Sequence, residues 1–217
     1  MFDKKITDSG LGRKEREKLF KRLEIVNSAV ILFAEKGYEN STLDEIAERA
    51  EFGKGTIYKY FENKEEIYSS IIENIFSEYY NNLRSISSKT GNLKDFLSEM
   101  TRLLLRFANE NKAEFSVFVR VAANVFDDYW ILKTEQIKSL DYKIKDLFKT
   151  RIQQALQNKE VKELDAERFI ILYNFTVMNY FYKILQHDSF DETNLEKEVL
   201  FVLNILLQGI LENNFWG

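Results

Sequence analysis

Ser41-Thr42-Leu43-Asp44-Glu45-Ile46-Ala47-Glu48-Arg49-Ala50-Glu51-Phe52-Gly53-Lys54-Gly55-Thr56-Ile57-Tyr58-Lys59-Tyr60-Phe61-Glu62-Asn63-Lys64 reads as two short helices joined by a tight turn. Ser41 or Thr42 caps the first, with Asp44 and Glu45 in its opening turn, where negative charge is favoured. Ile46, Ala47 and Ala50 face inward. Gly53 and Gly55 bracket Lys54 at the start of the second helix, which Ile57 and Phe61 fix to a core. That leaves Thr56, Tyr58, Lys59 and Tyr60 to face outward. A helix start offers free backbone N–H groups to phosphate while the following side chains reach base edges. The stretch therefore predicts contact with DNA.

Upstream, Leu19, Leu23, Val26, Val30 and Phe33 recur at helical spacing from Arg13 onward, and Gly37 is a natural stop. Met1 to Gly12 has weak periodicity and reads as a mobile arm. Downstream, a long stripe runs from Ile67 through Ile71, Ile75, Phe76 and Tyr79 to Leu83, and Ser85 to Asn92 reads as a polar break. Further helices are expected over Leu93–Phe107, Ala113–Phe126 and Asp128–Gln157. Asp165 caps one ending near Gln186, and a last one spans Leu195–Leu211. No strand-type alternation persists. The expected fold is all-α, with about nine helices.

Composition supports long helices. The 217 residues contain no proline, where average usage predicts roughly ten. The absence of cysteine excludes disulfides, thiolate nucleophiles and cysteine zinc sites. With one histidine, His187, imidazole chemistry is restricted; it follows a helix end and reads as a cap. Glu65-Glu66 reads as a helix N-terminal turn, not an acid–base pair. No metal or cofactor is expected, and no enzyme. The apolar run Phe169–Tyr182, broken by Asn174 and Asn179, is shorter than the ~20 residues of a membrane span. A soluble, cytoplasmic chain without membrane partners is expected.

Charge is unevenly placed. Met1–Arg22 is formally +4, against −8 for the remainder of a chain whose net charge is −4. Screening confines each region's field to about a Debye length, so a basic end on an acidic body still binds a polyanion locally. Arg13, Lys14 and Arg16 are candidates for the minor groove or flanking phosphates; a solvated charged segment explains them equally well.

The N-terminal third resembles the TetR family of transcriptional regulators. The resemblance rests on Phe33-Ala34-Glu35-Lys36-Gly37-Tyr38, Ser41-Thr42, Ile46-Ala47, Ala50, Gly53-Lys54-Gly55-Thr56-Ile57-Tyr58-Lys59-Tyr60-Phe61 and Lys64-Glu65. It implies a homodimer on a double-stranded DNA operator, with a DNA-binding domain at 1–63 and a helical ligand-binding and dimerisation domain at 64–217. It also implies roles for particular residues. Thr42 and Lys64 hold phosphate, while Lys54, Gly55 and Thr56 approach bases or phosphates. Tyr58, Lys59 and Tyr60 reach backbone or base edges. One departure is Glu51-Phe52-Gly53, where the family usually has Gly-Val-Ser. Glu51 takes the turn without glycine's freedom, and Gly53 lacks a capping hydroxyl.

For the helical body, an apolar, aromatic chamber for a small hydrophobic ligand is expected around Phe76, Tyr80, Phe96, Met100, Phe107, Phe115, Phe118, Phe126, Trp130 and Tyr173. Arg120 and Asn174 are its candidate polar contacts. Each aromatic taken singly is more often core than ligand wall, and a solvent-facing or internally paired role is the commoner one for Arg120 and Asn174. Phe169, Leu172, Val177, Phe181, Val199, Val202, Leu206 and Ile210 are expected to pair two copies through the last two helices. The expected function is a ligand-responsive regulator, more a repressor than an activator. A partner-regulated DNA-binding factor is the alternative, and an all-helical enzyme the weakest reading.

Overall fold

A computed structural model describes residues 12–123, 134–186 and 194–208. Among these, nine helices and no strand are present. They are α1 (Arg13–Lys36), α2 (Leu43–Arg49), α3 (Lys54–Ile57), α4 (Lys64–Lys89), α5 (Leu93–Glu110), α6 (Lys112–Ala123), α7 (Glu135–Gln157), α8 (Ala166–Ile184) and α9 (Leu195–Leu207). None is long and apolar enough to cross a membrane.

The helix boundaries follow local chemistry. Thr42, not Ser41, caps α2: its hydroxyl accepts from Glu45 N–H at 3.2 Å while the Glu45 carboxylate accepts from Thr42 N–H at 3.0 Å. Asn63, Asn92, Thr134 and Asp165 cap α4, α5, α7 and α8 through their side-chain oxygens. Two expected boundaries move. The polar run Ser85–Lys89 continues α4, because weak helix formers at a helix end are tolerated when the preceding turns are packed. The helix expected from Asp128 instead starts at Glu135, where Thr134 caps it. The earlier residues of that stretch, with Phe126, Trp130, His187, Ile210 and Met1–Leu11, lie outside the described residues.

At one end, α1–α3 and the start of α4 share a small core of Ile25, Ala29, Phe33, Ile46, Ile57, Phe61, Ile67 and Ile71. Phe33, Tyr38 and Tyr68 form an aromatic triangle with centroids 4.7–5.7 Å apart. In the larger body, α4 lies along α7, α5 along α9, and α6 is wedged between α1 and α8. Phe96, Phe148, Tyr173 and Phe169 stack through its centre. Inside that stack the Thr101 and Tyr173 hydroxyls are hydrogen-bonded to each other at 2.9 Å, and both reach the Leu97 carbonyl, at 2.7 and 3.4 Å.

The turn between α2 and α3 carries backbone strain. Glu51 sits at φ 56° and is exposed, in the left-handed region that costs a residue with a Cβ about 1–2 kcal/mol. Glycine there would relieve that strain, and its larger unfolded-state entropy would offset part of the gain. Glu51→Gly is accordingly expected to raise unfolding stability by about 0.5–1 kcal/mol, read by chemical denaturation. An unchanged or lower midpoint would show that the turn is relaxed with glutamate.

Candidate nucleic-acid interface

Helix α3 is a single turn, prolonged by the backbone bonds Lys59 N–H to Thr56 C=O and Tyr60 N–H to Ile57 C=O. Ile57 and Phe61, each 1% exposed, nail it to the core. Lys54, Gly55, Tyr58 and Lys59 point to solvent, with the Tyr58 ring 59% exposed; Thr56 and Tyr60 are half-buried. The outward face expected from the sequence is present, but four helical residues give only a small dipole. Attraction for a polyanion therefore comes chiefly from side-chain charge and hydroxyls. A Cβ added at Gly55 would meet nothing within 4 Å, so packing inside the protein places no demand for glycine there.

Several of the expected contacts already have partners. The Lys54 ammonium pairs with Asp44 of α2, and Thr42 Oγ1 donates to Glu45 at 3.1 Å. Lys36 pairs with Glu45 and holds its carboxyl below the usual carboxylate range, helped by Thr42. These pairs are exposed and hence weak, so phosphate can displace them. Lys64 is different. Its Nζ donates to the carbonyls of Tyr38 at 2.7 Å and Ser41 at 2.8 Å and lies 4.1 Å from the Tyr38 ring centroid. It clamps the α1–α2 loop and has little left for phosphate. Arg13, Lys14 and Arg16 are exposed in the first turn of α1, which begins at Arg13 as the periodicity predicts.

Sequence reading missed Arg22. Its guanidinium donates to the Tyr60 carbonyl at 3.0 Å and covers the Phe61 ring at 4.1 Å, fixing the exit of α3 to α1. One arginine among eight N-terminal bases gives no sign of such a task.

Arg120, expected at a ligand, instead joins the body to the DNA-facing end. Its two terminal nitrogens donate to the carbonyls of Phe33 and Ala34, each at 2.9 Å. These belong to the last turn of α1, where the helix dipole favours a cation. Gly37 follows at φ 82°, ψ 163°, a conformation essentially restricted to glycine, and its N–H closes on Phe33 C=O at 2.9 Å. From α8, Tyr182 reaches the same guanidinium. Burial pushes its phenol up, but hydrogen bonds with Ser116, Arg120 and Gln186 outweigh that and hold it below the usual tyrosine value. Arg120 thus bridges α8 to the end of α1.

The other chamber candidates divide. Phe96, Met100, Phe115, Phe118, Phe76 and Tyr173 are buried and packed on neighbours, so they build the core. Phe107 and Tyr80 are half-buried at its margin, and Asn174 buries its side-chain oxygen without a partner. The pairing residues also need correction. Phe169, Val177, Phe181, Val199 and Val202 lie inside the protomer's own core, and Leu206 is half-buried. The apolar surface left exposed on α8 and α9 is Ile171, Leu172, Phe175, Leu200, Phe201 and Ile205.

Residues 25–71 match the sequence profile of the bacterial regulatory proteins of the tetR family. The biofilm operon icaADBC HTH-type negative transcriptional regulator IcaR of Staphylococcus epidermidis is 41% identical over 56 residues, 26% of this chain and 30% of that protein. The chain thus matches under a third of that relative's length. The fold extends further. A transcriptional regulator FadR from Bacillus subtilis, solved in complex with stearoyl-CoA, superposes with a TM-score of 0.70 at 21% identity, covering 86% of this chain and 98% of that one. The fatty acid degradation regulator FadR from Bacillus halodurans gives 0.68 at 19%, covering 92% and 97%.

Proposed function

We propose that this chain, which belongs to the tetR family of bacterial regulatory proteins, is a ligand-responsive transcriptional repressor that leaves its operator when a small, largely apolar molecule enters the helical body. The observation carrying the reading is the outward Lys54–Tyr58–Lys59 face at one end, tied by Arg120 to helices of the body. Residues 1–63 meet DNA, and residues 64–217 hold ligand and partner copy. The negative-regulator name of IcaR supports repression, and the stearoyl-CoA complex of FadR supports an apolar effector.

Two copies pair through Ile171, Leu172, Phe175, Leu200, Phe201 and Ile205. Their α3 faces then enter successive major grooves about 34–36 Å apart, which requires a near-palindromic operator. The ligand acts only by binding better to a dimer whose α3 faces no longer fit that spacing.

The test selects bound DNA from a random pool and follows its release on adding cell extract, by fluorescence anisotropy. Palindromic selection and extract-dependent release are expected; selection of no preferred sequence would overturn the reading. On that operator, Lys54→Ala combined with Lys59→Ala is expected to weaken binding about tenfold and to flatten the salt dependence by up to about two counterions. An unchanged slope would remove both lysines from the phosphate contacts.

A further inference from the structure

The cations of the DNA-facing end are answered by acids of the same end. Ser41–Lys64 holds five carboxylates (Asp44, Glu45, Glu48, Glu51 and Glu62) against four bases (Arg49, Lys54, Lys59 and Lys64), so the stretch is formally −1. Most of these bases are engaged. Lys54 meets Asp44 and Arg49 meets Glu35, each at 2.5 Å, while Lys64 is held by loop carbonyls. Just before the stretch, Lys36 pairs with Glu45. Lys59 is exposed and makes no ion pair among the described residues.

Of the paired acids, Asp44 is the one the fold explains least. It is exposed at the second position of α2, and Lys54 is its only side-chain partner among the described residues. The cap of α2 is built by Thr42 and Glu45 without it. The α2–α3 junction is fixed by other means: Phe52 N–H closes on Ala47 C=O at 2.9 Å, and Ile46, Ile57 and Phe61 are buried in the shared core. With side chains 66% and 58% exposed, the Lys54–Asp44 pair adds little to stability. What it does decide is the state of the ammonium at the head of the outward face. A carboxylate occupies the place that a phosphate oxygen takes in a charge-assisted contact.

We propose that Asp44 is an internal substitute for operator phosphate, holding Lys54 in the free protein and giving it up only to DNA. The inference rests on the DNA-binding reading above and adds a brake to it. Binding exchanges one anion for another on Lys54, so the net gain from that contact is small. The brake weakens attachment to random DNA, which phosphate contacts supply almost entirely. It also keeps operator affinity within reach of one allosteric coupling, which shifts an affinity by only about 5- to 150-fold.

Fluorescence anisotropy of the full chain, on a selected operator and on a scrambled duplex of equal length, tests this. Asp44→Asn keeps the side chain's shape and removes its charge. It is expected to tighten both complexes about two- to fivefold, the worth of an exposed ion pair, because phosphates are common to all sequences. Its unfolding midpoint is expected to match wild type. In a Lys54→Met background the same substitution is expected to change affinity less than about 1.5-fold, since no ammonium remains to be freed. Glu48→Gln removes equal charge one turn along α2, from an exposed residue in no ion pair among the described residues, and is expected to do as little. A looser or unchanged complex in Asp44→Asn, a gain confined to the operator, a gain surviving Lys54→Met, or an equal gain in Glu48→Gln would overturn the inference. A wild type that binds neither duplex sinks the DNA-binding reading and the brake with it. A wild type that binds both, with Asp44→Asn inert, sinks the brake alone.

Discussion

Arg120→Met is expected to lower unfolding stability by about 2 kcal/mol, from loss of two charge-assisted hydrogen bonds discounted for partial exposure, and to break the link between ligand and operator. The carbonyls of Phe33 and Ala34 would lose the guanidinium donors that reach them from the body, and Tyr182 would lose a partner. A typical allosteric coupling is worth about 1–3 kcal/mol, so removing this bridge is enough to abolish it. The variant should still select the operator but should no longer be released by extract. Arg120→Lys separates charge from geometry, because one ammonium cannot span two carbonyls as the planar guanidinium does. Chemical denaturation and anisotropy read the two effects. Wild-type stability together with full release would remove Arg120 from the coupling.

Phe175→Glu combined with Phe201→Glu is expected to yield a folded monomer whose operator affinity falls by a factor on the order of 100–1000, the loss of bivalent engagement. Both rings are more than half exposed, at 60% and 52%, so the protomer's own core tolerates the charges. Paired across a symmetric interface they repel and cannot be hydrated. Sedimentation gives the state of association and circular dichroism the fold. A variant that still sediments as a dimer would place the pairing surface elsewhere.

The helical content and the DNA-facing end were legible because each rested on one dominant signal. The stripes of α4 and α5 have a single apolar face, and Ile57 and Phe61 stand where only an inward direction is consistent with Lys54 and Lys59 outside. The last two helices failed that test. Helix α8 carries two apolar stripes, Phe169–Tyr173–Val177–Phe181 and Ile171–Leu172–Phe175. Periodicity alone does not rank two apolar stripes, and the residues expected to pair mixed them: Phe169, Val177 and Phe181 lie in the protomer's own core, whereas Leu172 is exposed. Arg120 was misread for a different reason. An arginine within an apolar run signals a partner, yet that partner is a pair of backbone carbonyls 87 and 86 residues away, which no side-chain pattern announces. Lys64 was no more legible, its acceptors being loop carbonyls.

The uncovered face of α8 and α9 also bears on quantity. If only paired copies hold the operator, then below the dimer dissociation constant occupancy scales with the square of the amount of protein. Halving the chain's abundance in that regime would cut occupancy about fourfold, by mass action on the pairing equilibrium. Ile171, Phe175, Phe201 and Ile205 would then set gene dosage sensitivity, although none of them touches DNA or ligand.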